Sequence, residues 1–314
     1  MSSSAKQWLL LCYLVLAWGL AFALIAVALR GFHPTFVVWC RLTLGALVMW
    51  GVWYWQGTDW PFDRAWWPRL ILLSLTGNII PFSLIAWAEQ TVPSAEVGIL
   101  MALMPIATLL LAHWLLEHES LTLTKVGGVS VGFLGVGLLF GEALFSAGSQ
   151  GQLSGKLATL GAALSYAFNG VYARRLPVVP PVALAFTTLT IGSVLLALPL
   201  LLLPSLYVVK IPDTGAALAV MALGILATGV ATWVYFVIVQ ERGPTFLSTI
   251  NYLIPAVAFA AGVVFLSEPW GWWQVGALIL ILCGVWLVQH SPTISPDRTA
   301  VAETARHHRR RDGQ

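Results

Sequence analysis

The chain has 314 residues, 59% of them hydrophobic and only 9% Asp, Glu, Lys or Arg, with a formal net charge of +3. An ordinary soluble domain carries roughly 45–50% apolar and about 25% charged residues, so this chain has too few charges to cover the surface of a soluble fold. Composition excludes a cytosolic enzyme, a nucleic-acid-binding domain and a disordered chain, and leaves an all-α polytopic membrane protein.

A bilayer core of ~30 Å takes about 20 helical residues per crossing. Apolar runs of that kind fall near residues 8–28, 35–55, 70–89, 94–116, 124–141, 154–173, 182–204, 214–239, 245–266 and 271–289. The breaks between them hold turn chemistry or charge, as at Gly31 to Pro34, Thr91 to Pro93, Arg174 to Pro181 and Glu241 to Pro244. The first run follows Lys6 and contains Ala21-Phe22-Ala23, a pattern that also fits a cleaved leader. It is read as a retained span, because its removal would leave nine crossings and half of a repeat missing. Residues 1–7 then form an N-terminal tail, 8–141 a first unit of five spans, 142–153 a linker, 154–289 a second unit of five, and 290–314 a basic tail.

Charge sets the orientation. With the N-terminus inside, twelve of the 16 basic residues lie in inside segments and only Arg30, Lys156 and Lys210 outside, while Arg41 sits within a crossing. The bias places both termini in the cytoplasm. Cys12, Cys40 and Cys283 lie singly in apolar runs with no metal or redox spacing. His113 and Glu117 lack a zinc-binding order, and Gly128-xxx-Gly132 sits in an apolar helix that suits close packing, not a dinucleotide loop. No cofactor, metal or nucleic acid is expected; the partners are the bilayer and a small-molecule substrate.

The two units repeat. Gln90 and Pro105 recur as Gln240 and Pro255 at an offset of 150, and Glu119, Gly127 and Gly135 recur as Glu268, Gly276 and Gly284 at 149. Five spans per unit is an odd number, so the second unit enters the membrane inverted. Inverted repeats of this type characterise secondary transporters, with the binding site at mid-membrane where the halves meet.

Trp18-Gly19, Arg41, Ala95 through Pro105, Glu119-Ser120-Leu121-Thr122 and Ser267-Glu268-Pro269-Trp270 resemble the repeat of the EamA family within the drug/metabolite transporter superfamily. The resemblance spans residues 8–289. It departs from the usual pattern at His118 and Ser267, which precede the motif glutamates where the family often has Gly, and at Thr188, which stands roughly where the first unit has Arg41. It implies ten helices in two inverted five-helix halves, placement in a bacterial inner membrane, and export of small organic metabolites, amino acids first among them, with drugs as the alternative. A membrane-embedded enzyme or a sensor on the same fold belongs to a different class; buried ionisable groups are sparse for the former.

Candidate site residues follow from depth and chemistry. Pro105 and Pro255 break helices four and nine near their middles and are expected to shape a central cavity. Asn78, Asn169 and Asn251 are amides at lipid depth that need partners, as helix glue or as cavity lining. The helix of Asn78 also carries Pro81 and Trp87. Trp18, Tyr166 and Trp233 lie away from the interfaces and suit an amphiphilic pocket. Arg41 is the one basic residue well inside a crossing, and with Glu89 or Glu96 at a similar depth it is expected to form an ion pair that helps close an outer gate. Glu96, near a helix start, also suits a capping role, and Glu119 and Glu268 suit favourable placement at helix N-termini.

Overall fold

The computed structural model describes residues 3–115, 122–145 and 150–290; Glu119 and the basic tail from residue 291 onward lie outside the described residues. Among the described residues thirteen α-helices follow one another as α1 (Ser3–Ala28), α2 (Pro34–Gln56), α3 (Trp67–Ser74), α4 (Ile80–Ala88), α5 (Ser94–Met101), α6 (Met104–Leu115), α7 (Leu123–Phe145), α8 (Gln150–Ala173), α9 (Pro181–Leu202), α10 (Thr214–Gly224), α11 (Ala231–Leu247), α12 (Ile250–Leu266) and α13 (Trp272–Gln289). Three pairs are single spans with an interruption. A π-helical turn, Leu75–Ile79, joins α3 to α4; a second, Ile225–Val230, joins α10 to α11; and a two-residue break at Ala102 and Leu103 separates α5 from α6. Ten spans result, in two inverted five-helix halves, and the protein is an all-α integral membrane protein.

Local chemistry explains the ends. Pro34 at the first position of α2 has no amide hydrogen to leave unsatisfied, and the His33 side chain accepts from Thr35 N at 3.3 Å. At the other end Gly57 takes the left-handed conformation, φ 60°, and returns its N–H to the Tyr54 carbonyl. Asp213 starts α10 by accepting from Ala216 N at 2.6 Å. The predicted break at Glu241 to Pro244 is a kink centred on Gly243, φ 79°, with the helix resuming to Leu247.

Packing follows the repeat. The first span, α1, lies against α10, α11 and α12; its counterpart α8 lies against α4, α5 and α6. Helix α2 packs on its mate α9, and α7 on its mate α13. The last pair meets backbone to backbone, since a methyl added at Gly128 would come within 2.7 Å of the Gly284 carbonyl oxygen. Side chains turned outward are apolar, as at Leu195, Leu201, Val264 and Phe265. The exposed aromatics Trp50, Tyr54 and Trp55 near the C-terminal end of α2, and Trp270, Trp272 and Trp273 at the start of α13, fall at span ends, where amphipathic rings sit at headgroup level.

Candidate functional site

One cavity of about 990 Å³ lies between the halves. It takes walls from both: Trp18, Phe22 and Arg41 from α1 and α2, Tyr166 and Asn169 from α8, Thr232 and Tyr235 from α11. It runs toward the face that holds the start of α1 and the end of α13, where Lys125, Arg174 and Gln289 line it. We call this the terminal face and the other the distal face.

The distal face is closed. Glu96 on α5 forms an ion pair with Lys156 on α8 at 2.9 Å, with side chains 5% and 1% exposed respectively. The Glu96 carboxylate also accepts from Gln274 of α13 at 3.1 Å, and Lys156 donates to the Leu139 carbonyl of α7 at 2.6 Å. Four helices are thus joined through two buried charges. Beside them the Glu268 carboxylate accepts from Ser94 N at 2.8 Å and Ala95 N at 2.9 Å. A carboxylate from the loop before α13 therefore occupies the N-terminus of α5, where free amides and the helix dipole favour negative charge. Ala28, Ala88 and Val92 seal the same end and are buried.

Each half contributes one π turn, and the two lie 150 residues apart. Such turns leave part of the backbone ladder to be satisfied from elsewhere and often mark functional sites. The first is held from α8: Ser165 donates to the Thr76 carbonyl at 2.8 Å, and the Asn169 amide to the Leu73 carbonyl and Thr76 Oγ1, both at 3.0 Å. The second is held from α1 and α2. Tyr13 donates to the Leu226 carbonyl at 2.9 Å, Trp18 Nε1 to the Ala227 carbonyl at 3.1 Å, and Arg41 Nε to Thr228 Oγ1 at 2.7 Å. The Thr228 hydroxyl donates in turn to the Leu223 carbonyl at 2.8 Å.

The structure gathers Trp18, Asn78, Tyr166, Asn169, Asn251, Arg41, Pro105 and Pro255 on the wall of the cavity. The prolines lack the N–H groups that would bond the carbonyls of Met101 and Asn251, and both of those residues also line it. Trp87, Trp233, Pro81, Glu89 and Glu96 lie elsewhere. Trp87 is 47% exposed at the distal end of α4, about 140° round the helix from the cavity-lining Phe82. Trp233 packs between hydrophobic clusters, while Thr232, Tyr235 and Phe236 of the same helix face the cavity. Pro81 is buried just beyond the first π turn. Glu89 borders a separate distal cavity of about 340 Å³.

The expected pairing of Arg41 with Glu89 or Glu96 is replaced by other contacts. Glu96 is committed to Lys156, which the sequence placed among the outside charges but which is 1% exposed within α8. Arg41 turns to Thr228 and lies 3.9 Å from the centre of the Phe82 ring. Sequence reasoning missed Thr228, Phe82 and Lys156. Thr228 had a signal, since it stands 150 residues from Asn78 as its repeat mate. Among the described residues no cluster of His, Cys, Asp or Glu is arranged to hold a metal.

The profile of the EamA-like transporter family matches residues 6–141 and 153–289. The chain is 28% identical over 291 residues to an uncharacterized transporter of Archaeoglobus fulgidus, covering 90% of this chain and 98% of that one. It is 26% identical over 285 residues to the uncharacterized transporter YvbV of Bacillus subtilis, covering 89% and 90%. A WAT1-related chloroplastic protein of Arabidopsis thaliana is 24% identical over 288 residues, covering 90% of this chain and 69% of that one. A solved crystal structure superposes with a TM-score of 0.63 at 25% identity, covering 91% of this chain and 98% of the other.

Proposed function

The chain belongs to the EamA-like transporter family, and from that premise we propose that it exports small organic metabolites, amino acids foremost, by alternating access. The protein is a membrane transporter; the solute and the mechanism are our reading. One observation carries it: the cavity sits between inverted halves, reaches one face and is closed at the other by ion-paired and capped contacts. Rocking of the halves would open the distal face as the terminal face closes. In this reading both termini lie in the cytoplasm, the membrane is a bacterial inner membrane, and the cavity opens inward.

In this reading Trp18, Tyr166, Asn78, Asn169 and Asn251 contact the solute, and the prolines keep the flanking spans bent around it. The mixed wall, rings with polar tips beside amides, suits a solute with both an apolar and a polar part. No bond is made or broken in such a cycle, so the protein acts on its solute only by moving it.

The test is efflux from proteoliposomes loaded with a panel of labelled amino acids and common metabolites, with and without a pH gradient. Transport of an unaltered solute, saturable and sensitive to Tyr166→Ala, is expected. A panel in which every label stays inside, or in which a label emerges chemically changed, defeats the reading.

A further inference from the structure

Arg41 is the strongest unexplained group in the molecule. A guanidinium stays charged at any working pH, and a charge at lipid depth is costly unless it is paired or reaches water. The side chain is buried, with the residue 7% exposed, and its Nε–H bonds the neutral hydroxyl of Thr228. Among the described residues, no carboxylate stands within ion-pair distance of it. The described acidic side chains toward the distal end are placed otherwise: Glu96 on Lys156, Glu268 on the amides of α5, Asp213 on the first turn of α10, and Glu89 beside the smaller cavity, from where it attracts Arg41 only across a longer distance.

The cavity wall has the same imbalance. Arg41 and Arg174 line it, and among the described residues no Asp or Glu does. A cleft lined by one sign of charge within low-dielectric walls concentrates ions of the other sign. Arg174 stands toward the terminal face, so among the described lining residues Arg41 is the cation at depth.

The guanidinium is also held in place. Thr228, itself locked by its bond to the Leu223 carbonyl, fixes the Nε edge, and the Phe82 ring lies under the plane. Two Nη groups remain on the edge that a carboxylate engages through two parallel hydrogen bonds. A donor fork fixed in advance loses little freedom when it binds.

Building on the transport reading, we propose that Arg41 is the anchor for the carboxylate of the transported solute, and that the solute class is a monocarboxylate with an apolar or aromatic body lying against Phe82, Tyr166 and Trp18. Zwitterionic amino acids fall within the class. A phosphate ester, which needs several cations at one depth, falls outside it.

The experiment uses the purified full-length chain and two probe pairs that differ only at the carboxylate: 3-phenylpropionate with 3-phenylpropionamide, and L-phenylalanine with L-phenylalaninamide. Binding is read in detergent by tryptophan fluorescence and flux in proteoliposomes. The carboxylate member should bind about 10-fold or more tighter than its amide, the scale of a charge-assisted pair in a dry site. Arg41→Gln should bring the ratio to about one, and Arg41→Lys should leave an intermediate value. A wild-type ratio near one for both pairs overturns the proposal with no variant required, and so does a preference that survives Arg41→Gln. A carboxylate preference in binding without flux supports the anchor and overturns the transport reading. Flux without the preference does the reverse.

Discussion

The buried pair Glu96–Lys156 offers the sharpest perturbation. Glu96→Gln keeps the shape but leaves the Lys156 ammonium, 1% exposed, with neutral oxygens alone as partners, the Leu139 carbonyl and the new amide. Breaking one side of a buried ion pair costs about 3–5 kcal/mol, because the surviving charge is uncompensated. The protein can escape that cost by opening the distal face and letting Lys156 meet water. At tenfold per 1.4 kcal/mol, the lower figure moves the equilibrium toward distal opening by about 100-fold. Ala88, buried at the distal end of α4, reports the opening when changed to Cys in a chain whose three native cysteines are Ala. An impermeant maleimide added on the distal side should label Ala88→Cys far faster in Glu96→Gln. The double variant Glu96→Leu with Lys156→Met should return to within about 10-fold of the parent, since an apolar pair of similar volume replaces a buried ion pair at little net cost. Unchanged labelling in the single variant, or a double variant worse than either single, refutes the argument.

Three further outcomes are expected. Glu268→Gln removes the charge from two hydrogen bonds at the N-terminus of α5, and at about 1–2 kcal/mol should raise labelling of Ala88→Cys about 10-fold. Gly284→Val drives a side chain to 2.5 Å from the Gly128 carbonyl oxygen and should lower the thermal midpoint, at a cost of about 2 kcal/mol; Gly276→Ala, whose nearest neighbour is a Leu138 methyl at 3.7 Å, should not. Asn169→Leu deletes both bonds that α8 makes through that amide, one to the Leu73 carbonyl just before the first π turn and one to Thr76 within it, at about 1 kcal/mol each, and should speed amide hydrogen exchange over residues 75–79.

The spans and their inversion were legible because lipid imposes long apolar runs and because the offsets of 149 and 150 survive in prolines, glycines and glutamates. The prolines and amides were legible as candidates because buried polar or hydrogen-deficient groups stand out against an apolar background. Partnerships across the halves were not. Arg41 and Thr228 are 187 residues apart, and nothing short of the packed register of α2 against the second π turn brings them together. Depth along a helix suggested Glu89 or Glu96 as the partner of Arg41, but depth says nothing about the direction a side chain faces. Lys156 misled for the opposite reason: close to a predicted span boundary, it read as a solvated charge, and only the acid on a neighbouring helix makes its burial tolerable. The π turns left no mark at all, since Leu-Thr-Gly-Asn-Ile and Ile-Leu-Ala-Thr-Gly-Val are ordinary helix-compatible strings.

Those turns show where two similar halves diverge. In each, a span from the opposite half supplies the donors, α8 to the first turn and α1 with α2 to the second, so the bracing is symmetric. The chemistry is not, because Arg41 has Thr188 as its rough counterpart in the other half. Thr228→Val tests whether that asymmetry matters, for it keeps the shape of the side chain and deletes only the oxygen that serves both Arg41 and the Leu223 carbonyl. A buried donor left without its acceptor costs about 1–3 kcal/mol, which should appear as a lower thermal midpoint. The freed guanidinium should also discriminate less between carboxylate and amide, because an anchor that must be ordered on binding gives up part of its gain. Thr228→Ser, which restores the oxygen without the methyl, should recover the discrimination. If the valine variant binds both members of a probe pair as the wild type does, the hydroxyl is only helix glue and the divergence of the halves must be sought at another position.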